Sequence, residues 1–158
     1  MSGEANVIAE RRAAMTEAIQ AETGIDEAMI ERLVHAFYAK VRDDALLGPV
    51  FAAKIADWTP HLRQMCAFWS SVALSTGRYS GQPMPKHVAL PIDAAHFDRW
   101  LELFATTARE MCPPAAADRF VERAGRIAES LEMGVACSRG AMPGKGERYR
   151  ICLLYTSP

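Results

Sequence analysis

From Asp26 to Leu131 the apolar residues recur every three or four positions, and no stretch of strand length alternates with period two. That spacing builds helices with one buried stripe each and leaves no material for a sheet, so the expected fold is all-α. Met29, Ile30, Leu33, Val34, Phe37, Tyr38 and Val41 form the first strong stripe, behind Asp26, a good N-cap residue. Leu47-Gly48-Pro49 reads as the turn that closes it, followed by a short connector with Phe51 and Ile55. The pattern resumes after Asp57 with Trp58, His61, Leu62, Met65, Phe68, Trp69, Val72 and Ala73. Residues 75–86 hold two glycines and two prolines and read as an irregular loop leading into the segment KHVALP. Asp93 then caps a helix with Phe97, Trp100, Leu101, Phe104, Ala108 and Met111 on one stripe. Pro113-Pro114 ends it, and Asp118 opens a further helix with Phe120, Val121, Ala124, Ile127 and Leu131 inward.

The flanks differ. Residues 1–24 are rich in Ala and Glu with sparse apolar positions, which suits a peripheral helix or a leader. Beyond Met133 glycine and proline interrupt the chain, and the last residues, RICLLYTSP, fit no amphipathic pattern and read as foreign or adapter sequence. The expected organisation is therefore a leader over 1–24, one domain over 25–133 and an irregular, non-native tail over 134–158. A chain of 158 residues buries roughly two-thirds of its unfolded surface and needs no staples. With 18 basic against 19 acidic side chains it has no field to collect phosphates, so no nucleic-acid partner is expected. No apolar run approaches the ~20 residues of a membrane span and no signal-peptide h-region is present, so the expected compartment is the cytoplasm. Cys66, Cys112, Cys137 and Cys152 form no CxxC or CxxCH, which counts against a zinc ribbon and against covalent haem attachment.

Ten of the thirteen aromatic side chains fall between Phe37 and Phe104, and all four histidines lie between His35 and His96, so any chemistry belongs to this middle stretch. His35 sits on the polar side of its helix and His96 in the first turn of another. His61 shares its face with Trp58 and Met65, a setting in which a histidine is more often a core residue with one hydrogen bond than a ligand. His87, beside a proline-rich loop, can be aimed inward with no packed neighbour one turn away. No HExxH, GxGxxG, P-loop or GxSxG string occurs, so the corresponding zinc, phosphate and hydrolase chemistries lack support. What remains is an aromatic-lined helical pocket with His61 and His87 on separate segments. Such a slot admits a planar apolar cofactor such as an iron porphyrin, which needs one neutral imidazole and a few polar donors opposite it. The same residues also suit an ordinary core, and spacing alone leaves open which histidine would bind iron.

The strings LVHAFYAKVRDDALLGPVF, WTPH with FWSSVAL starting ten residues after Trp58, GRYSGQPMPKHVALP and FDRWLELF closely resemble the truncated haemoglobins, specifically their group III, over about Ile25 to Leu131. The resemblance implies a two-over-two helical sandwich around haem b, iron protoporphyrin IX. It makes His87 the proximal iron ligand, and Tyr38, His61 and Trp100 the distal residues that stabilise a bound ligand. Phe51, Met65, Phe68 and Trp69 then line the haem slot. The glycine-glycine motifs of other truncated groups are missing at the helix junctions, as in this group. Function follows as an expectation: binding of O2, NO and CO by a monomer, and O2/NO redox chemistry such as NO detoxification or a peroxidase-like reaction with an external reductase. Alternatives are a gas sensor or an oxygen-transport carrier without turnover, and a cofactor-free helical interaction module. Arg78 and Lys86 lie near enough to His87 in sequence to pair with haem propionates, although exposed basic residues more often only solvate a surface.

Overall fold

The computed structural model describes residues 2–151, and among them the chain forms seven helices and no strand. They are α1 (Ser2–Thr23), α2 (Glu27–Asp43), α3 (Leu47–Lys54), α4 (Trp58–Leu74), α5 (Pro83–Val88), α6 (Ala94–Met111) and α7 (Pro114–Ser138). The pairs α2/α4 and α6/α7 stack on one another through α2 against α6 and α4 against α7, while α1 lies against α4 and α7. None of the described helices is long and apolar enough to cross a membrane.

Three of the long helices start where an aspartate can satisfy their free backbone N–H groups. Asp26 Oδ1 accepts from Met29 N at 2.8 Å, Asp57 Oδ1 from Thr59 N at 3.1 Å and Asp93 Oδ1 from Ala95 N at 3.0 Å. Such a cap contributes about 1 kcal/mol. The expected stripes then close over one core: Ile30, Leu33, Val34, Phe37 and Val41 of α2 are almost fully buried, as are Trp69, Ala73 and Leu74 of α4. The α6 stripe stops short of its expected end, because Met111 is exposed while Thr107 is buried and donates to Leu103 O at 2.7 Å.

Three elements differ from the expectation, and in each a proline or glycine read as a breaker stands in a first helical turn. Leu47-Gly48-Pro49 opens α3 instead of closing a turn. A proline there has no N–H to leave unpaired, and Gly48 lies against the end of α2, where a Cβ would come within 2.8 Å of Arg42 O. The loop after α4 covers only 75–82, because Pro83 begins α5. The last helix starts at Pro114, so Asp118 lies inside it, and it continues to Ser138, past the expected boundary at 133. The chain beyond also packs: Tyr149 is buried beside Ile92 and Phe97, its carbonyl accepts from Ala94 N at 2.8 Å, and Arg148 Nε donates to Glu132 Oε2 at 2.8 Å. Residues 152–158, including Cys152, lie outside the described residues. Cys66, Cys112 and Cys137 are free thiols; burial pushes the first two above the ordinary thiol value, so they stay protonated.

Asp44 sets the start of α3. Its Oδ2 accepts from Leu47 N at 2.9 Å and Leu46 N at 3.1 Å, and Arg99 Nε of α6 donates to its Oδ1 at 2.7 Å. Burial alone would raise this carboxyl, but those bonds outweigh it and hold it below the usual carboxylate range. The stability it contributes is therefore present above the unfolded value of about 3.9 and lost as the pH falls through the lower folded value. In thermal melts from about pH 5 down to about pH 2, Asp44→Asn should start less stable than the parent and lose less on acidification. Parallel acid limbs would remove Asp44 from the acid sensitivity.

Candidate functional site

A cavity of about 450 Å3 opens among α2 to α7, within the ~300–1,000 Å3 of small-molecule sites. The eight residues that the resemblance assigned to the haem slot and its distal side all line it: Tyr38, Phe51, His61, Met65, Phe68, Trp69, His87 and Trp100. They arrive from five helices. Tyr38 comes from the inner side of α2; Phe51 from α3; His61, Met65, Phe68 and Trp69 from successive turns of α4; His87 from the end of α5; Trp100 from the second turn of α6.

At one end the aromatic rings interlock. The Tyr38 ring meets Phe51 at 5.8 Å, Trp58 at 5.8 Å and His61 at 5.3 Å, with His61 edge-on at 83°. The Arg42 guanidinium covers the outer face of this group, 4.8 Å from the Trp58 ring centre. Burial, reinforced by the Cys66 thiol, pushes the Tyr38 phenol above its ordinary value, so it stays a neutral donor. Burial first, then the nearby Lys86 and His87, push His61 below the ordinary imidazole value and keep it neutral near pH 7. His61 Nε2 is buried with no hydrogen-bond partner among the described residues. Leaving such an atom unpaired costs about 1–3 kcal/mol, and a polar ligand in the cavity would recover it.

Two further histidines border the cavity, with opposite tautomers. His87 Nδ1 lies 2.7 Å from Pro83 O; a carbonyl can only accept, so Nδ1 carries the proton and Nε2 keeps its lone pair. His96 also borders the cavity, but its Nδ1 accepts from the Asp93 backbone N–H at 3.1 Å, completing the α6 capping box. Asp93 Oδ1 lies farther from the same nitrogen, at 3.3 Å. The backbone N–H can only donate, so the neutral His96 ring holds its proton on Nε2 and offers no lone pair there. Of the two, His87 alone is left with a lone pair on Nε2, the difference between them that spacing left open.

The cavity has members that sequence reasoning missed. Leu47, Val50 and Lys54 line it with Phe51; at i, i+3, i+4 and i+7 they share one face, a pattern visible only once α3 is read as a helix. Tyr79 joins from the loop, edge-on to Phe68 at 5.2 Å, with no periodic signal to reveal it. Lys54 and Lys86 both border the cavity and make no ion pair among the described residues. Arg78 departs from its expectation: it donates to Glu27 Oε2 at 2.7 Å and does not line the cavity. His35 is exposed on α2, away from the site. No three His, Cys, Asp or Glu side chains converge as a metal cage among the described residues.

Comparison with known proteins gives a consistent pattern. The profile of the family described as bacterial-like globin matches residues 18–131. The group 3 truncated hemoglobin ctb of Campylobacter jejuni is 33% identical over 113 residues, spanning 68% of this chain and 89% of that protein. The group 1 truncated hemoglobin GlbN of Nostoc commune is 33% identical over 70 residues, 44% of this chain and 58% of that protein. The crystal structure of group III truncated hemoglobin from Campylobacter jejuni superposes with a TM-score of 0.65 at 33% identity, over 68% of this chain and 89% of that one.

Proposed function

The chain belongs to the bacterial-like globins, as a truncated haemoglobin of group III, and on that premise we propose that it binds haem b and acts on O2 and NO, with electrons from an external reductase. The observation that carries this reading is the tautomer of His87: its Nδ1–H is committed to Pro83 O, which leaves Nε2 as a lone-pair donor in an apolar cavity. The Pro83 bond also orients the ring and raises its basicity, as outer-shell partners of ligating histidines do. A porphyrin brings four nitrogen ligands of its own, so one imidazole suffices and no cage of side chains is needed. Lys54 and Lys86, which both border the cavity, would meet the two propionates, where Lys86 and Arg78 were expected. When bound, the haem iron supplies the centre at which a diatomic gas is taken up.

The chain's own residues then decide which gas is held and for how long. The Tyr38 hydroxyl, kept protonated by burial, and the Trp100 indole N–H are donors in the cavity wall. Donors favour polar O2 over less polar CO, in a site where water does not compete. Neutral His61, with its unpaired Nε2, adds a polar atom that accepts or donates according to the ligand present. Slow release of O2 suits redox chemistry, such as oxidation of NO to nitrate, better than delivery.

Trp100→Leu is expected to speed O2 release roughly tenfold, the equivalent of one hydrogen bond. Stopped-flow displacement by CO reads it, and an unchanged off-rate would remove Trp100 from the site's function. The redox reading is tested by adding NO to the haem-loaded protein equilibrated with O2 and a reductase system: sustained NO consumption supports it. Reversible O2 uptake without NO turnover would leave a carrier or sensor instead.

A further inference from the structure

At six residues α5 is too short to hold its own place, so the position of His87 depends on what fixes the chain on either side of it. The helix itself packs on α7, where the Met84 thioether lies against Gly134. Upstream, residues 75–82 form no regular structure, and the bonds that fix them come from two directions. From within, fully buried Ser70 of α4 donates through Oγ to Glu27 Oε1 at 2.6 Å and lies 2.6 Å from Thr76 Oγ1. Arg78 Nη1 donates to the other Glu27 oxygen at 2.7 Å, and Tyr79 N donates to Ser71 Oγ at 2.8 Å. From outside, Thr16 of α1 donates to Leu74 O at 2.6 Å, in the last turn of α4. The Arg12 guanidinium lies over Gly77, which has φ of 72°, in the space a Cβ there would take.

We propose that Glu27 on one side and Arg12 with Thr16 on the other are positioning residues for His87: together they clamp residues 75–79 onto α4 and so set where α5 presents the imidazole. The inference rests on the haem reading above. Arg12 and Thr16 precede the span 18–131 that matches the globin family, so the proximal side of the site would draw on the part of α1 that lies before the matched span. Glu27 is the hinge of the clamp, since its two oxygens hold the α4 serine and the loop arginine at once. Gln at this position keeps an oxygen for Ser70 and loses the ion pair; Ala loses both and leaves a buried hydroxyl with one partner fewer.

The test uses the full chain as Glu27→Gln, Glu27→Ala and the double variant Arg12→Ala/Thr16→Val, each loaded with haemin. Two readouts are taken: the iron–histidine stretching band of the ferrous protein, and the rate of haemin transfer to excess apomyoglobin. Transfer should quicken roughly tenfold in Glu27→Ala, the scale of a lost charge-assisted bond, and measurably in the double variant, which loses the Thr16 bond to Leu74 O. Glu27→Gln should lie between the parent and Glu27→Ala, and the band should shift in the same order. Amide exchange of residues 76–79 in the haem-free protein should rise in parallel. Should Glu27→Ala fail to fold, Glu27→Gln and the double variant carry the test. Faster amide exchange or lower melting temperatures with an unmoved band and transfer rate would overturn the proposal, because the clamp would then serve stability alone. A parent protein that takes up no haemin would overturn the haem reading and this inference together, whereas normal uptake with unchanged variants overturns only the inference.

Discussion

His87→Ala should strip the protein of tight haem binding while leaving its helices in place. His87 is half-buried on the short α5, and its only hydrogen bond recorded in the structure is the one to Pro83 O, so no core packing depends on the imidazole. Its loss removes the imidazole whose Nε2 is left with a lone pair by the Pro83 bond, and His96 is no ready replacement, because it holds its proton on Nε2 through the Asp93 N–H. Removing a partner outside the ligand shell typically costs 10–100-fold in metal affinity; removing the ligand itself should cost more. Haemin titration followed in the Soret region reads the effect, and circular dichroism should show unchanged helix content. Added imidazole should restore a five-coordinate or six-coordinate spectrum by filling the vacated space. A variant that binds haem with parental affinity and an unaltered spectrum would shift the ligand to another residue, with His96 the first to substitute.

Phe104→Ala should be the most damaging single truncation of the core. The ring is almost fully buried and lies near-parallel to Trp69 at 4.6 Å and to Trp100 at 5.6 Å, with Phe37 edge-on at 5.2 Å and Phe120 at 6.5 Å. Aromatic pairs of this kind add to the area they bury, and a phenylalanine cut to alanine in a close-packed core costs about 3–5 kcal/mol. Against the roughly 5–15 kcal/mol that holds a domain folded, that is a large share. The damage also reaches the site, since Trp69 and Trp100 line the cavity and Phe104 is the spacer between them. Chemical denaturation should show a fall of that size, with weaker haem retention. Met133→Ala, at a side chain 45% exposed on the same bundle, should stay within about 0.5 kcal/mol of the parent. A Phe104→Ala loss below about 1 kcal/mol would mean that this ring does not fill the core as described.

What the sequence made legible, and what it hid, separates along physical lines. The helices α2, α4 and α6 were readable because each pairs an aspartate cap with a stripe of period 3.6, two signals that agree. The starts of α3, α5 and α7 were hidden because proline and glycine carry opposite meanings in a helix interior and in its first turn, and only the surrounding packing tells which applies. Gly48 shows this: its place beneath Arg42 O is a tertiary fact with no local trace. The wall of the site was legible in the same uneven way. Residues on strong stripes, such as Tyr38, His61 and Trp100, could be placed inward, whereas Tyr79 comes from an irregular loop and Lys54 from a helix read as a connector. The pairing of Arg78 with Glu27 spans 51 residues, a separation that no periodic pattern reports. Periodicity left His87 and His96 undecided, and the family resemblance chose His87; what distinguishes them physically is the hydrogen-bond partner of Nδ1, a carbonyl in one case and an N–H in the other.

Titration of haemin into the purified haem-free chain, followed by absorption, tests the central claim most directly. The account predicts a Soret band that grows linearly and breaks at one haem per chain, and a reduced form that takes up O2 and CO reversibly. A chain that develops no Soret band beyond that of free haemin at any ratio would contradict it, and the cavity of about 450 Å3 between its helices would then belong to a cofactor-free helical module.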